Sequence, residues 1–139
     1  MTDVWDTSAL IAAARDANAA RTLSDALADD TVAVTEPILL EYLNGARQLA
    51  EYELFESRLR AAHVLDTTPA DWRRALAVHR SLAALGPGHQ RSVRLVDLII
   101  AAVAERVGYA VVHIDEDYER IASITGQPTR RLAPTEPTS

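Results

Sequence analysis

Residues 4–10 read VWDTSAL, and the change of pattern inside that stretch decides the fold class. Val4 and Trp5 are apolar neighbours of the kind that end a short strand buried on both faces. From Thr7 the chain turns into TSALIAAARDANA (7–19), with apolar residues at helical spacing. Asp6 or Thr7 is therefore the N-cap at a junction between strand and helix. The same handover recurs along the chain. TVAVT (31–35) leads into a helix opened by Glu36-Pro37, HVLD (63–66) into TPADWRRALAVHRSLAAL (68–85), and YAVVHI (109–114) into DEDYERIASITG (115–126). Further helices are expected near 20–28, over 48–61 and over 93–108, with a short last strand at 129–132. Short apolar strands alternating with helices specify an α/β domain, a parallel sheet of four to five strands with helices on both faces. One domain is expected over residues 1–133, followed by a solvated tail at 134–139.

The 139 residues suffice for one domain with a real core. No cysteine is present, which excludes disulfides and thiolate metal sites. The N-terminus lacks a basic region before its apolar run, and LVDLIIAAVA (95–104) is interrupted by Asp97 and too short to span a bilayer. A cytoplasmic protein without membrane attachment is the expectation. Net charge is −6, but it is unevenly spread. Between Arg58 and Arg94 seven Arg face two Asp, about +5, which leaves the remainder near −11. All fourteen basic residues are Arg.

Five acids fall where a carboxylate is costly or poised. Asp6 ends the first strand and Asp115 ends the YAVVHI strand, with Asp117 in the helical turn that follows. Glu41 sits in ILLEYL, and Asp97 in the most apolar helix of the chain. Taken one at a time, caps, helix-dipole partners or a solvated helix edge account for all but Asp97. Together they point to one crevice, because open α/β sheets bind ligands beyond the carboxyl ends of their strands, where strand order reverses. Asp6 and Asp115 are side by side there if the first and fourth strands are neighbours. Clustered carboxylates repel unless a cation lies among them, and an all-oxygen donor set suits Mg²⁺ or Mn²⁺.

With these residues in place, the chain resembles the PIN-domain ribonucleases, of the kind that serve as VapC toxins in bacterial toxin–antitoxin pairs. The matching pieces are VWDTSAL, EPILLEYLNG, VDLIIAAVAERVG and VVHIDEDYERIA, in that order and spanning nearly the whole chain. The resemblance implies metal ligands at Asp6, Asp97 and Asp115, further catalytic acids at Glu41 and Asp117, and a supporting hydroxyl at Ser8. His113 stands where many members carry Thr or Ser. Tyr118 stands where many carry Phe, which conserves the aromatic body.

The activity so implied is Mg²⁺- or Mn²⁺-dependent hydrolysis of RNA phosphodiesters, with tRNA or rRNA as substrate. The implied partners are a VapB-like antitoxin and a second copy of the chain. The antitoxin is expected on apolar residues of 38–55, including Leu39, Leu43 and Phe55. Arg91 and Arg94, after the flexible GPGHQ loop, are the expected contacts to flanking RNA phosphates. Arg73, Arg74 and Arg80 read better as a solvated helix face, and Trp72 as core or interface. Two rivals remain: an inert PIN-like binding module, and a metal-dependent phosphomonoesterase. Phosphoryl-transfer folds of the haloacid-dehalogenase or receiver type also begin with a strand ending in Asp, but they use a Lys that this chain lacks.

Overall fold

The computed structural model describes residues 1–133; the expected tail at 134–139 lies outside them. Five parallel strands form one sheet: β1 (Asp3–Trp5), β2 (Val32–Thr35), β3 (His63–Leu65), β4 (Ala110–His113) and β5 (Thr129–Arg131). Their order is β3-β2-β1-β4-β5. The chain therefore builds outward from β1 on one side, then returns to lay down β4 and β5 on the other. With right-handed crossovers that reversal sends the two sets of connecting helices to opposite faces. The first set is α1 (Thr7–Arg15), α2 (Ala17–Ala28), α3 (Glu36–Leu43) and α4 (Leu49–Arg58). The second is α5 (Pro69–Ala84), α6 (Leu95–Val107) and α7 (Glu116–Thr125), which pack on one another.

The core lies where the central strands meet both layers. Val4, Trp5, Val34, Val111 and Val112 are sealed from solvent, and α6 is buried continuously from Asp97 to Ala104. The outer strands differ from the expectation of apolar strands buried on both faces. In β3 His63 and Val64 are exposed, and in β5 Arg130 and Arg131 are exposed, because each strand is an edge with one neighbour only. Arg130 reaches back to Asp3 on β1 and neutralises an otherwise buried carboxylate.

Local chemistry sets the boundaries. The break between the first two helices, expected after residue 19, falls at Asp16, which is extended (φ −126°, ψ 127°) and whose side chain caps the second helix at the Ala19 N–H. Thr35 caps α3 with Pro37 in the first turn, and Thr68 and Asp71 form a reciprocal capping box on α5. Gly108 and Gly126 end α6 and α7 in the left-handed conformation, at φ 79° and 72°. No helix among the described residues is long and apolar enough to cross a membrane.

Candidate active site

The strand order makes β1 and β4 neighbours, with Val4 opposite Val111 and Trp5 opposite Val112. The Asp6 N–H donates to the Val112 carbonyl at 2.9 Å, so the ladder runs to the very end of both strands. Asp6 and Asp115 thus flank the reversal point. Their cap roles are real as well: Asp6 accepts from the Ser8 N–H and Asp115 from the Asp117 N–H, at 3.0 and 2.9 Å. A cap bond fixes where each carboxylate points, so capping and site-building are one arrangement here.

Asp97 enters from α6, in its first turn, and is fully buried. One oxygen of each of Asp97, Asp115 and Asp117 lies within 4.8 Å of the others, a spacing that could hold a metal ion. Asp97 Oδ2 is buried without a hydrogen-bond partner. Burial, and after it the charge of Asp6, raises the Asp97 carboxyl to a pKa of about 9. A buried acceptor with no donor, among further acids, is what a hard cation would satisfy, and the donor set is all oxygen. The residues therefore fit a hard divalent metal ion.

Asp6 is held differently. The Ser8 hydroxyl donates to Asp6 Oδ2 at 2.7 Å and accepts from the Ile114 N–H at 3.0 Å, which ties α1 to the end of β4. The Tyr118 hydroxyl lies 2.6 Å from Asp6 Oδ1 and 3.2 Å from Asp97 Oδ1. Burial, followed by the charge of Asp6, pushes the phenol well above its ordinary pKa, so it is a proton donor here. The sequence suggested that only the aromatic body mattered at position 118; the hydroxyl in fact bridges two site carboxylates. One turn of helix from Asp115 to Tyr118 carries it inward, onto the same face as the strand ends.

Glu41, from α3, stands at the mouth. It accepts from the Thr7 hydroxyl at 3.2 Å and from the Arg94 guanidinium. The Arg94 backbone N–H also donates to Asp117 Oδ2 at 2.8 Å, and Arg120 donates to Asp117 Oδ1 at 3.1 Å. Glu41 holds Arg94 above its ordinary pKa, with Asp97 and Asp6 contributing through their charges. Thr7, Tyr118 and Arg120 are members of the site that sequence patterns did not single out. Arg91 is exposed on a short 3₁₀ turn (His89–Arg91) and makes no ion pair among the described residues. His113 is buried, and its Nδ1 accepts from the Asp115 N–H at 3.1 Å. It therefore positions Asp115 through a ring nitrogen where a hydroxyl was the common alternative. Burial pushes the imidazole pKa down.

The more peripheral expectations fare unevenly. Arg74, expected on a solvated helix face without a partner, is partly exposed but pairs with Glu105 through two nitrogens. Trp72 is 57% exposed and so is no part of the core. An apolar groove of about 400 Å³ does exist, but α1 and α2 supply most of its walls, with Leu10, Leu23 and Leu27 against Tyr42 and Leu59. Leu39 and Phe55 are instead packed against the core, and Phe55 lies 5.0 Å from the Tyr42 ring.

A family model described as PIN domain matches residues 4–124. Ribonuclease VapC18 of Mycobacterium tuberculosis is 40% identical over 129 residues, 93% of either chain. The chain belongs to the VapC ribonucleases of the PIN-domain family. Ribonuclease VapC51 of the same organism is 38% identical over 103 residues, covering 74% of this chain and 73% of that one. Among solved structures, VapBC-5 of Mycobacterium tuberculosis, from the VapBC family of toxin-antitoxin systems, aligns with a TM-score of 0.68 at 25% identity. That alignment covers 94% of this chain and 98% of the other. A chain of VapBC2 from Rickettsia felis, solved with a fragment of promoter DNA, aligns with a TM-score of 0.74 at 16% identity, over 96% and 100% of the two chains, and supports the shared fold.

Proposed function

We propose that this VapC-family chain is a divalent-metal-dependent endoribonuclease and the toxin of a VapBC-type pair. The observation that carries the metal site is the unpartnered Asp97 carboxylate oxygen, buried within ligand distance of Asp115 and Asp117. In this reading Asp6, Asp97 and Asp115 would hold the ion, which is Mg²⁺ or Mn²⁺, with Asp117 within reach of Asp97 and Asp115. A bound ion would offset the carboxylate charge and polarise both a phosphodiester and a water for hydrolysis. The chain's own residues do the rest. Ser8 fixes the Asp6 plane, His113 and the α7 cap fix Asp115, and Arg120 with the Arg94 amide fixes Asp117.

Glu41 and Arg94 form a neutral pair at the entrance. An arriving RNA phosphate competes with Glu41 for Arg94, and the released carboxylate then orients the attacking water. Arg91 lies free for a flanking phosphate. In-line hydrolysis that leaves 5′-phosphate and 3′-hydroxyl ends on tRNA or rRNA is the expected reaction. A VapB-like antitoxin, a homodimer and action in the cytoplasm complete the reading; all three rest on the family relationship.

The test is cleavage of total RNA by the purified chain with Mg²⁺ or Mn²⁺, with EDTA, and with Asp97→Asn. Cleavage lost under EDTA and in the variant supports the proposal. Cleavage that persists in both sinks the metal site. A wild type that binds RNA and cuts neither RNA nor small phosphomonoesters would instead be an inert module.

A further inference from the structure

The segment between α5 and α6 carries both arginines assigned to RNA, Arg91 on the 3₁₀ turn and Arg94 at the N-cap of α6. Its fastening comes from α7. Arg94 supplies no side-chain cap to its own helix, and its N–H donates to Asp117 Oδ2 at 2.8 Å, twenty-three residues away. The other Asp117 oxygen accepts from Arg120 Nη1 at 3.1 Å, and the same nitrogen donates to the Ser92 carbonyl at 3.1 Å. Ser92 in turn closes the 3₁₀ turn, its hydroxyl donating to the His89 carbonyl at 2.6 Å. Residues 92 and 94 are thus tied to one carboxylate, directly at Arg94 and through Arg120 at Ser92.

Packing does less on this side. Val93 is buried, but Arg91, Ser92 and Arg94 are exposed. A cavity of about 400 Å³ opens between the segment and α7, lined by Leu82, Pro87, His89, Ser92, Arg120 and Ser123. Bonds between a guanidinium and a carboxylate belong to the stronger class of hydrogen bond. Glu116, 3.3 Å from Arg120 Nη2, holds the guanidinium on its own helix.

We infer that Arg120, together with Asp117, clamps residues 89–94 onto α7 and is a positioning residue for RNA. It sets where Arg91 and Arg94 meet flanking phosphates and does not touch the RNA itself. This rests on the phosphate path proposed above. Asp117 keeps further lone pairs for an ion, so the clamp and the metal site share it without competing. The phosphate path is thereby held in register with Asp97 and Asp115.

Binding of a labelled single-stranded oligoribonucleotide, measured by fluorescence anisotropy in EDTA so that it is not cut, tests the clamp. Arg120→Ala should weaken binding about fivefold, the scale of coupling between residues of one network. It should also lower the salt dependence, as loss of Arg91 and Arg94 does. In a chain already carrying Arg91→Ala and Arg94→Ala, the same substitution should have no further effect. A direct contact between Arg120 and RNA, or a general charge effect, would persist in that background. A merely structural role would lower the melting temperature and leave RNA binding by the folded chain as it was.

Asp117→Asn reads the clamp from its other partner, and serves also where Arg120→Ala does not fold. It removes a negative charge from the cleft, which by charge alone would tighten RNA binding; the loosened clamp should weaken it. Three results overturn the clamp and leave the nuclease reading standing: unchanged RNA binding in Arg120→Ala, an equal loss with and without Arg91 and Arg94, or unchanged or tighter binding by Asp117→Asn. A wild type that does not bind this RNA overturns the phosphate path as well.

Discussion

Asp71 and Asp97 are the same residue at the same place in their helices, the third position of α5 and of α6, and both are buried, at 1% and 0% exposure. Their surroundings are opposite. Asp71 accepts from the Thr68 amide and hydroxyl and from two nitrogens of Arg106, which also holds the Asp66 carbonyl. Burial would raise its pKa, but those donors more than offset it, and the carboxyl titrates below its ordinary range. Asp97 meets Asp6, Asp115 and Asp117 and has one oxygen with no donor. Neither burial nor helix position separates a structural acid from a site acid. The sign of the neighbours does, and only the second arrangement leaves something for a ligand to complete.

Breaking each acid's surroundings should give opposite kinds of damage. The largest effect is expected from Asp97→Asn, which should cost RNA cleavage more than about a hundredfold while the fold, read by circular dichroism, survives. Arg106→Ala should do the reverse. It leaves Asp71 buried and unpaired, and should destabilise the chain by about 2 kcal/mol, less than for a wholly buried pair because Arg106 is itself partly exposed. Urea unfolding measures this, and the specific activity of the folded fraction should be unchanged.

The two acids should also pull the pH dependence of the metal-free protein in opposite directions. Asp97 binds its proton more tightly folded than unfolded. Its contribution to stability is therefore present below the ordinary aspartate value of 3.8 and is lost as pH rises toward about 9. Asp71 has the depressed pKa, so its contribution is present above 3.8 and is lost as pH falls through its folded value. Melting curves in EDTA across this range should decline toward alkaline pH, and Asp97→Asn should flatten that decline. A wild-type melting temperature that rises steadily from pH 5 to 9 would contradict the Asp97 environment.

The smallest effect concerns the entrance. Replacing Arg91 and Arg94 together by Ala should lower the salt dependence of RNA binding by about 1.5 units of logarithmic slope, roughly 0.7–0.9 per lost phosphate contact. An unchanged slope removes both residues from the phosphate path.

The contrast between the two acids also shows what a sequence can carry. Val4-Trp5, TVAVT and AVVH are legible as strands because β-branched and apolar residues fill both faces, and their connecting helices carry recognisable caps. The adjacency of β1 and β4, which brings Asp6 to Asp115, is a long-range pairing that no local pattern encodes. The break at Asp16 hid in an alanine-rich run with no Gly or Pro to mark it. Site acids showed themselves by interrupting apolar helices, as Asp97 does. Asp71 did not, because DWRR reads as a polar face, and its burial depends on Arg106, thirty-five residues away. The Tyr118 hydroxyl was equally hidden: an aromatic on the inward face of α7 is core by pattern, and only the folded arrangement brings its oxygen against Asp6 and Asp97.

The claim at the centre is that the unsatisfied Asp97 carboxylate anchors a divalent ion used to cut RNA. Wild type and Asp97→Asn, incubated with total RNA and Mg²⁺ and read by sequencing the new 5′ ends, test it most directly. Discrete 5′-phosphate ends from the wild type, absent with EDTA and absent from the variant, are the predicted result. The same ends produced by Asp97→Asn would contradict it.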